Sequence, residues 1–222
     1  MDSNLNYFEY KSTLTLESGA CLDSITVAYE TFGSLNKDKS NAILICHALT
    51  GNSHVCSSED NPNDGWWEKS VGPNKAIDTT KYFVICSNVL GSCKGSTGPA
   101  SINPKTNLKF GLDFPVFTIN DIVTVQHELV SSLKIAQLFA VIGPSMGGMQ
   151  ALTWAINYPK ALKKCIVIAS SSSLSPQAIA FGTVGRNAII SDPNFKKGDY
   201  IDKKPEIGLS IARMIGHITY LS

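Results

Sequence analysis

Residues 140–149 read AVIGPSMGGM, which places the hydroxyl of Ser145 at the end of an apolar run. Gly143 stands two positions before it, and Gly147 and Gly148 follow. A serine in a tight strand-to-helix turn can serve as a covalent nucleophile. The turn crowds the residues two places away on either side, and glycine removes that clash. The hydroxyl is then lifted to the positive end of the following helix. G-x-S-x-G recurs by chance, and a surface turn with an incidental serine would also carry it. Context separates the two readings, and here an apolar strand precedes the pattern while helical periodicity follows it.

In such a turn the Met146 backbone N–H is directed at the oxygen of a tetrahedral intermediate. A second donor is needed, and its expected source is the loop after an earlier central strand. ILICHALTG (43–51) supplies that loop. The Leu49 N–H is the candidate donor, and Thr50 beside it is a candidate substrate contact. His47 could be mistaken for the catalytic base, but it ends its own strand and precedes the nucleophile, so it reads as shaping the loop.

The elements that must position these groups are legible as patterns. NAILICH (41–47), KYFVICSN (81–88), QLFAVIG (137–143) and KCIVIAS (164–170) are short, continuous apolar runs, as strands buried on both faces read. TINDIVTVQHELVSSLKI puts Ile122, Val125, Leu129 and Leu133 on one helical stripe, with Thr118 and Asp121 spaced as a capping box. SMGGMQALTWAINYP predicts a second helix that offers Met149, Leu152, Ala155 and Ile156 for burial and ends at Pro159. Alternation of strand and helix predicts an α/β fold with a mostly parallel sheet flanked by helices. Near the N-terminus, STLTLESG and SITVAYETFG alternate apolar and polar residues and predict an antiparallel pair turning near Gly19.

The long loops 48–73 and 88–117 are dense in Gly, Ser, Asn and Pro. Such loops at the C-terminal ends of parallel strands usually carry binding groups. After residue 171 two helical patterns follow, SLSPQAIAFGTVGRNAII and IGLSIARMIGHITYLS, like the beginning of a cap. The expected division is an incomplete core over 1–170 and a helical cap over 171–222.

The bulk numbers exclude several classes. A net charge of +1 with scattered lysines offers no basic block for nucleic acid or lipid. The N-terminal stretch lacks a secretory pattern, and no apolar run approaches a membrane span. Cys46, Cys86 and Cys165 lie in apolar runs and read as small hydrophobes; no CxxC pair suggests a metal or redox site. Reduced thiols and a cytoplasmic location are expected.

HALTGNSHV, the stretch from DGWWEKSVGPNKAIDTT to GSTGPASINP, VIGPSMGGMQALTWAINYP and IARMIGHITYLS together resemble homoserine O-acetyltransferase, an α/β-hydrolase-fold acyltransferase family of methionine biosynthesis. The resemblance runs from about residue 8 to the end. It implies that Ser145 accepts acetyl from acetyl-CoA, a co-substrate rather than a bound cofactor, and that the L-homoserine hydroxyl then attacks the acyl-enzyme. It also implies that Arg213 and Tyr220 bind the amino acid, with Arg186 a weaker candidate, and that the full-length enzyme is a homodimer. No metal is expected. Pro144 departs from the glycine many members carry there. A succinyl-CoA-dependent or serine-directed acyltransferase and an esterase on the same fold remain as alternatives.

In this fold the order is Ser, Asp or Glu, then His. Downstream of Ser145 the only histidine is His217, preceded by Asp192, Asp199 and Asp202. His217 lies in the segment the resemblance assigns to substrate binding, and members of the family continue past HITYLS. The expectation is therefore an N-terminal portion lacking the last strands and the acid and base. Such a chain should have little activity alone and an exposed sheet edge prone to association.

Overall fold

The computed structural model describes residues 5–200 and 203–220. Its strands are β1 (Asn6–Tyr10), β2 (Leu14–Thr15), β3 (Cys21–Leu22), β4 (Ile25–Phe32), β5 (Ala42–Ile45), β6 (Val71–Gly72), β7 (Ile77–Asp78), β8 (Phe83–Ser87), β9 (Ala140–Pro144) and β10 (Cys165–Ile168). Its helices are α1 (Ile119–Ser132), α2 (Met146–Asn157), α3 (Pro176–Ile190) and α4 (Glu206–Tyr220). The main sheet has six strands in the order β1-β4-β8-β5-β9-β10. β8, β5, β9 and β10 run parallel, and β4 and β1 continue the sheet antiparallel. This is the expected mostly parallel α/β architecture.

By contacts the described chain divides into two units. The core unit runs through Phe110 and from Phe114 to Ser171, and the second comprises Gly111–Asp113 and the segment from Ser172. In the core unit, β5, β8 and β9 are buried almost throughout, as continuous apolar strands should be. β10 carries the same kind of sequence, and all four of its residues are exposed at the edge of the described sheet. Cys165 is consequently exposed, whereas Cys56, in a polar stretch, is buried.

α1 begins as its spacing predicts. Thr118 Oγ1 accepts from the Asp121 N–H at 3.3 Å and the Thr118 N–H donates to Asp121 Oδ2 at 2.8 Å, so two orphan donors are satisfied. Ile122, Val125 and Leu129 are buried in the larger core cluster, with Leu133 packed at its margin.

Two local expectations need correction. The antiparallel partner of β4 is β1, with Asn6 opposite Tyr29 and Tyr10 opposite Ile25. The STLTLESG segment instead folds onto residues 21–22 as a small ribbon, β2–β3, around Gly19 at φ 81°. α2 turns a different face inward from the one its apolar residues suggest. Gly147, Gly148, Gln150, Ala151 and Trp154 are buried, while Ile156 is 76% exposed. The glycines dictate this phase, because their backbones must touch the sheet.

Each long loop is strapped to the core. The buried Asn88 accepts from the Ser53 N–H at 3.0 Å and donates to Ser53 Oγ and to Lys94 O, which joins the two loops. Trp66 and Trp67 stack at 5.1 Å and pack against the second core cluster, so they serve the loop's own packing.

In the second unit Ser175 caps α3 and Pro176 occupies its first turn. α4 packs on α3 through small residues. A Cβ on Gly208 would overlap the Ala188 carbonyl, and one on Gly185 would sit 3.7 Å from Ala212. No helix among the described residues is long and apolar enough to cross a membrane.

Candidate active site

Ser145 sits between the last residue of β9 and the first of α2, with φ 54° and ψ −122°. This is a left-handed conformation that a side-chain-bearing residue adopts only when its surroundings impose it. Those surroundings are explicit. The Ser145 N–H donates to Ile168 O at 3.0 Å, at the end of β10. Its carbonyl accepts from the Ser170 hydroxyl at 2.7 Å and from the N–H groups of Gly148 and Met149. Ala169, between the two supporting residues, is itself left-handed at φ 45°.

The glycines do what their spacing implies. A Cβ on Gly143 would overlap the Gly147 carbonyl, and one on Gly147 would overlap the Cys46 carbonyl at the end of β5. A Cβ on Gly148 would meet the Ser170 side chain at 2.5 Å. The start of α2 is therefore in direct backbone contact with the stem of the 47–51 loop. Ser145 is exposed at the top of this assembly. Met146, the first residue of α2, offers one of the N–H groups that have no intrahelical acceptor.

The 47–51 loop is shaped by His47, which is 1% exposed. Its Nε2 lies 3.2 Å from the Val89 N–H and must accept from it. Nδ1 then carries the proton and donates to Ala48 O at 2.7 Å. Burial lowers the pKa of this imidazole, which favours the same neutral form. With both nitrogens committed, His47 cannot serve as the base. Leu49 and Thr50 project from the turn beyond it, both exposed, and the Gly51 N–H closes the turn onto Ala48 O at 2.9 Å.

The other core histidines are also engaged. His54 Nδ1 lies 2.9 Å from Glu30 Oε2 and Nε2 lies 2.9 Å from Asn63 O. Asn61 Nδ2 also lies 3.3 Å from Nδ1, but the closer carboxylate and carbonyl acceptors favour the doubly protonated ring. Desolvation pulls its pKa down, but the Glu30 and Asn63 bonds and the Glu30 charge outweigh it and leave the value raised. His127 stacks on Tyr158 at 3.9 Å on the α1–α2 face.

On α4, Arg213 and Tyr220 are two turns apart on one helix face, and both are exposed. Among the described residues Arg213 enters no salt bridge. Arg186 on α3 is tied to its own helix through Thr183 Oγ1 at 2.9 Å. Asp192 accepts from the backbone N–H groups of Asn194 and Gly208, so its carboxylate caps α4 rather than orienting a histidine. Asp202 lies outside the described residues. No group of three His, Cys, Asp or Glu side chains among the described residues could hold a metal ion.

The family model for the alpha/beta hydrolase fold matches residues 41–219, which takes in β5, the strained serine turn and most of both helical segments. The chain belongs to that family. It is 56% identical over 220 residues to a homoserine O-acetyltransferase of Methanococcoides burtonii, a match covering 98% of this chain and 45% of that protein. Among solved structures it is similar to a homoserine O-acetyltransferase from Bacillus anthracis, with a TM-score of 0.87 and 38% identity. That match covers 96% of this chain and 59% of the other. Esterase E22 matches with the same score and identity over 95% of this chain and 60% of its own. The chain thus spans about half the length of the curated relatives it matches.

Reasoning from the sequence missed the supports of the Ser145 turn. Ser170 lies in a run of four serines, where nothing marks one as bonded to Ser145. Glu30 lies in an alternating strand and reads as solvent-facing, yet it is 5% exposed and paired with Ser53 and His54.

Proposed function

We propose that Ser145 is a covalent acyl carrier and that the reaction is homoserine O-acetyl transfer, using acetyl-CoA and L-homoserine. The observation that carries this reading is the Ser145 backbone, held left-handed at the start of α2 in a chain 56% identical to a homoserine O-acetyltransferase. In the first half-reaction Ser145 Oγ forms a bond to the acetyl carbonyl carbon and the carbon–sulfur bond breaks. The serine proton passes through a base to the departing CoA sulfur. In the second, the homoserine hydroxyl oxygen attacks that carbon, the bond to Ser145 breaks, and the homoserine proton returns to Oγ through the same base. The Leu49 and Met146 N–H groups stabilise the oxyanion in both steps. Arg213 binds the amino-acid carboxylate through paired hydrogen bonds, with Tyr220 and Thr50 completing the contacts.

The base is neither His47 nor His54, since each has both ring nitrogens engaged. The reading also holds that this 222-residue polypeptide alone turns over slowly. The same reading makes the full enzyme a cytoplasmic homodimer. The test is incubation with acetyl-CoA followed by peptide mapping. Acetyl on Ser145, released by L-homoserine faster than by water, supports the reading; equal labelling of Ser145→Ala removes it. Esterase E22 matches as well as the acetyltransferase does, which favours hydrolysis as the second reading. Release at the same rate with and without homoserine would select it.

A further inference from the structure

Beneath the nucleophile turn lies a chain of three buried polar side chains whose role the proposed reaction does not assign. Gln126 on α1 and Gln150 and Trp154 on α2 are at most 2% exposed. Trp154 Nε1 donates to Gln126 Oε1 at 2.9 Å, and Gln126 Nε2 donates to Gln150 Oε1 at 2.7 Å. The orientation of both amides follows, since an indole N–H can only donate. Gln150 Nε2 is left as a donor at the end of the chain. It faces two backbone carbonyls, His47 O at 3.4 Å and Met146 O at 3.3 Å.

Those two carbonyls belong to the two segments that bear the proposed oxyanion donors. His47 is the stem of the loop that presents Leu49, and Met146 opens α2. The segments already touch, because Gly147 lets the helix backbone rest against Cys46 and His47. Contact alone leaves them free to slide, whereas a side-chain amide bonded to both sets their relative position. A polar chain is a costly choice for this place, since apolar side chains at all three positions would fill the space with nothing left to satisfy. Donor placement matters on a sub-ångström scale for stabilising a developing oxyanion.

We propose that Gln150, oriented by Gln126 and Trp154, is a positioning residue that sets the spacing of the Leu49 and Met146 amides. The inference rests on the reading of Ser145 as acyl carrier. Its test uses the full enzyme with p-nitrophenyl acetate, an activated acetyl ester, and follows nitrophenolate release together with acetyl bound to Ser145. Gln150→Leu is expected to lower the acylation rate constant about 10–100-fold while the ester concentration for half-saturation stays unchanged. Gln150→Glu adds a signature that packing alone does not produce. A buried carboxyl takes up a proton more readily than an exposed one and then becomes a donor again, so its rate relative to the parent should rise as pH falls.

A folded Gln150→Leu chain that acylates like the parent overturns the inference, as does a flat Gln150→Glu ratio if the leucine variant does not fold. A full-length parent whose Ser145 never carries acetyl instead removes the acyl-carrier reading, and this inference with it. The two failures are therefore told apart by the parent alone.

Discussion

The turn around Ser145 and the helical pair α3–α4 carry the two halves of the proposed chemistry and are built in opposite ways. At the turn, the Ser145 N–H and carbonyl are both bonded, and the three glycines around it are each in contact with backbone or with Ser170. In the helical pair only Gly208 and Gly216 of the helix residues are buried, and Ile207, Met214, Ile218 and Tyr220 are more than half exposed. A strained backbone persists only where packing over-determines it, so the proposed nucleophile sits on the former kind of element. The proposed substrate contacts Arg213 and Tyr220 need only a helix register, which α4 supplies. In the proposed reading, attack geometry is thus a property of the core and recognition a property of the α3–α4 hairpin.

The sharpest way to break this contrast is a methyl group at the turn. Gly147→Ala places a Cβ on the Cys46 carbonyl, and neither backbone can yield without moving β5 or α2. The expected cost is about 3 kcal/mol or more in urea unfolding, with loss of Ser145 acylation. A soluble, acylating variant of unchanged midpoint would show the turn to be pliable after all.

Next in size is the buried pair behind the loops. Glu30→Gln is expected to cost about 1–3 kcal/mol at acidic pH, since Glu30 bonds both Ser53 and a protonated His54. The His54 pKa is raised in the fold, so its contribution is complete below the ordinary histidine value and is lost as pH rises through the folded value. The penalty should therefore be larger at pH 6 than at pH 8.5; a penalty independent of pH contradicts the charged pairing.

On the hairpin side, Asp192→Ala removes the acceptor for the Asn194 and Gly208 N–H groups. Backbone hydrogen bonds hold the Asp192 pKa below its ordinary value. Its contribution is thus present above the ordinary aspartate range and disappears as pH falls through the folded value. A drop of a few degrees in the melting of α4, with the core transition unmoved, is the expected result in thermal circular dichroism. A shift of both transitions together would show the two units to be coupled.

The smallest effect has the opposite sign. Gly185→Ala lies within α3, where the new methyl would meet Ala212 at an ordinary 3.7 Å. Helix propensity then predicts a gain of up to about 1 kcal/mol, read in the same melts. Destabilisation there would mean that the hairpin is packed as tightly as the nucleophile turn.

Much of this molecule is legible residue by residue. The capping box at Thr118 and Asp121 and the glycines at 143 and 147 announce themselves because their partners lie within a few residues. The α2 face was misleading for the converse reason. Gln126 and Gln150 look like surface residues until each is found to satisfy the other from a different helix. Ile156 looks buried until the glycine contacts turn it outward. β10 reads as an interior strand and lies at an edge, because edge and centre differ only in which strands are present alongside.

The amino-acid sequence by itself determined the strand–turn–helix around Ser145, the mostly parallel α/β arrangement and the helical character of the segment after residue 171. All three follow from periodicity and from glycine's freedom, which act between near neighbours. Only the tertiary structure decided that Ser170 and Ile168 clamp the Ser145 backbone, that His47 is a neutral clasp, and that Glu30 and His54 form a partly buried pair. Each of these is a hydrogen bond between groups far apart in the chain, and a polar side chain reveals whether it is buried or solvated only once its partner is in place.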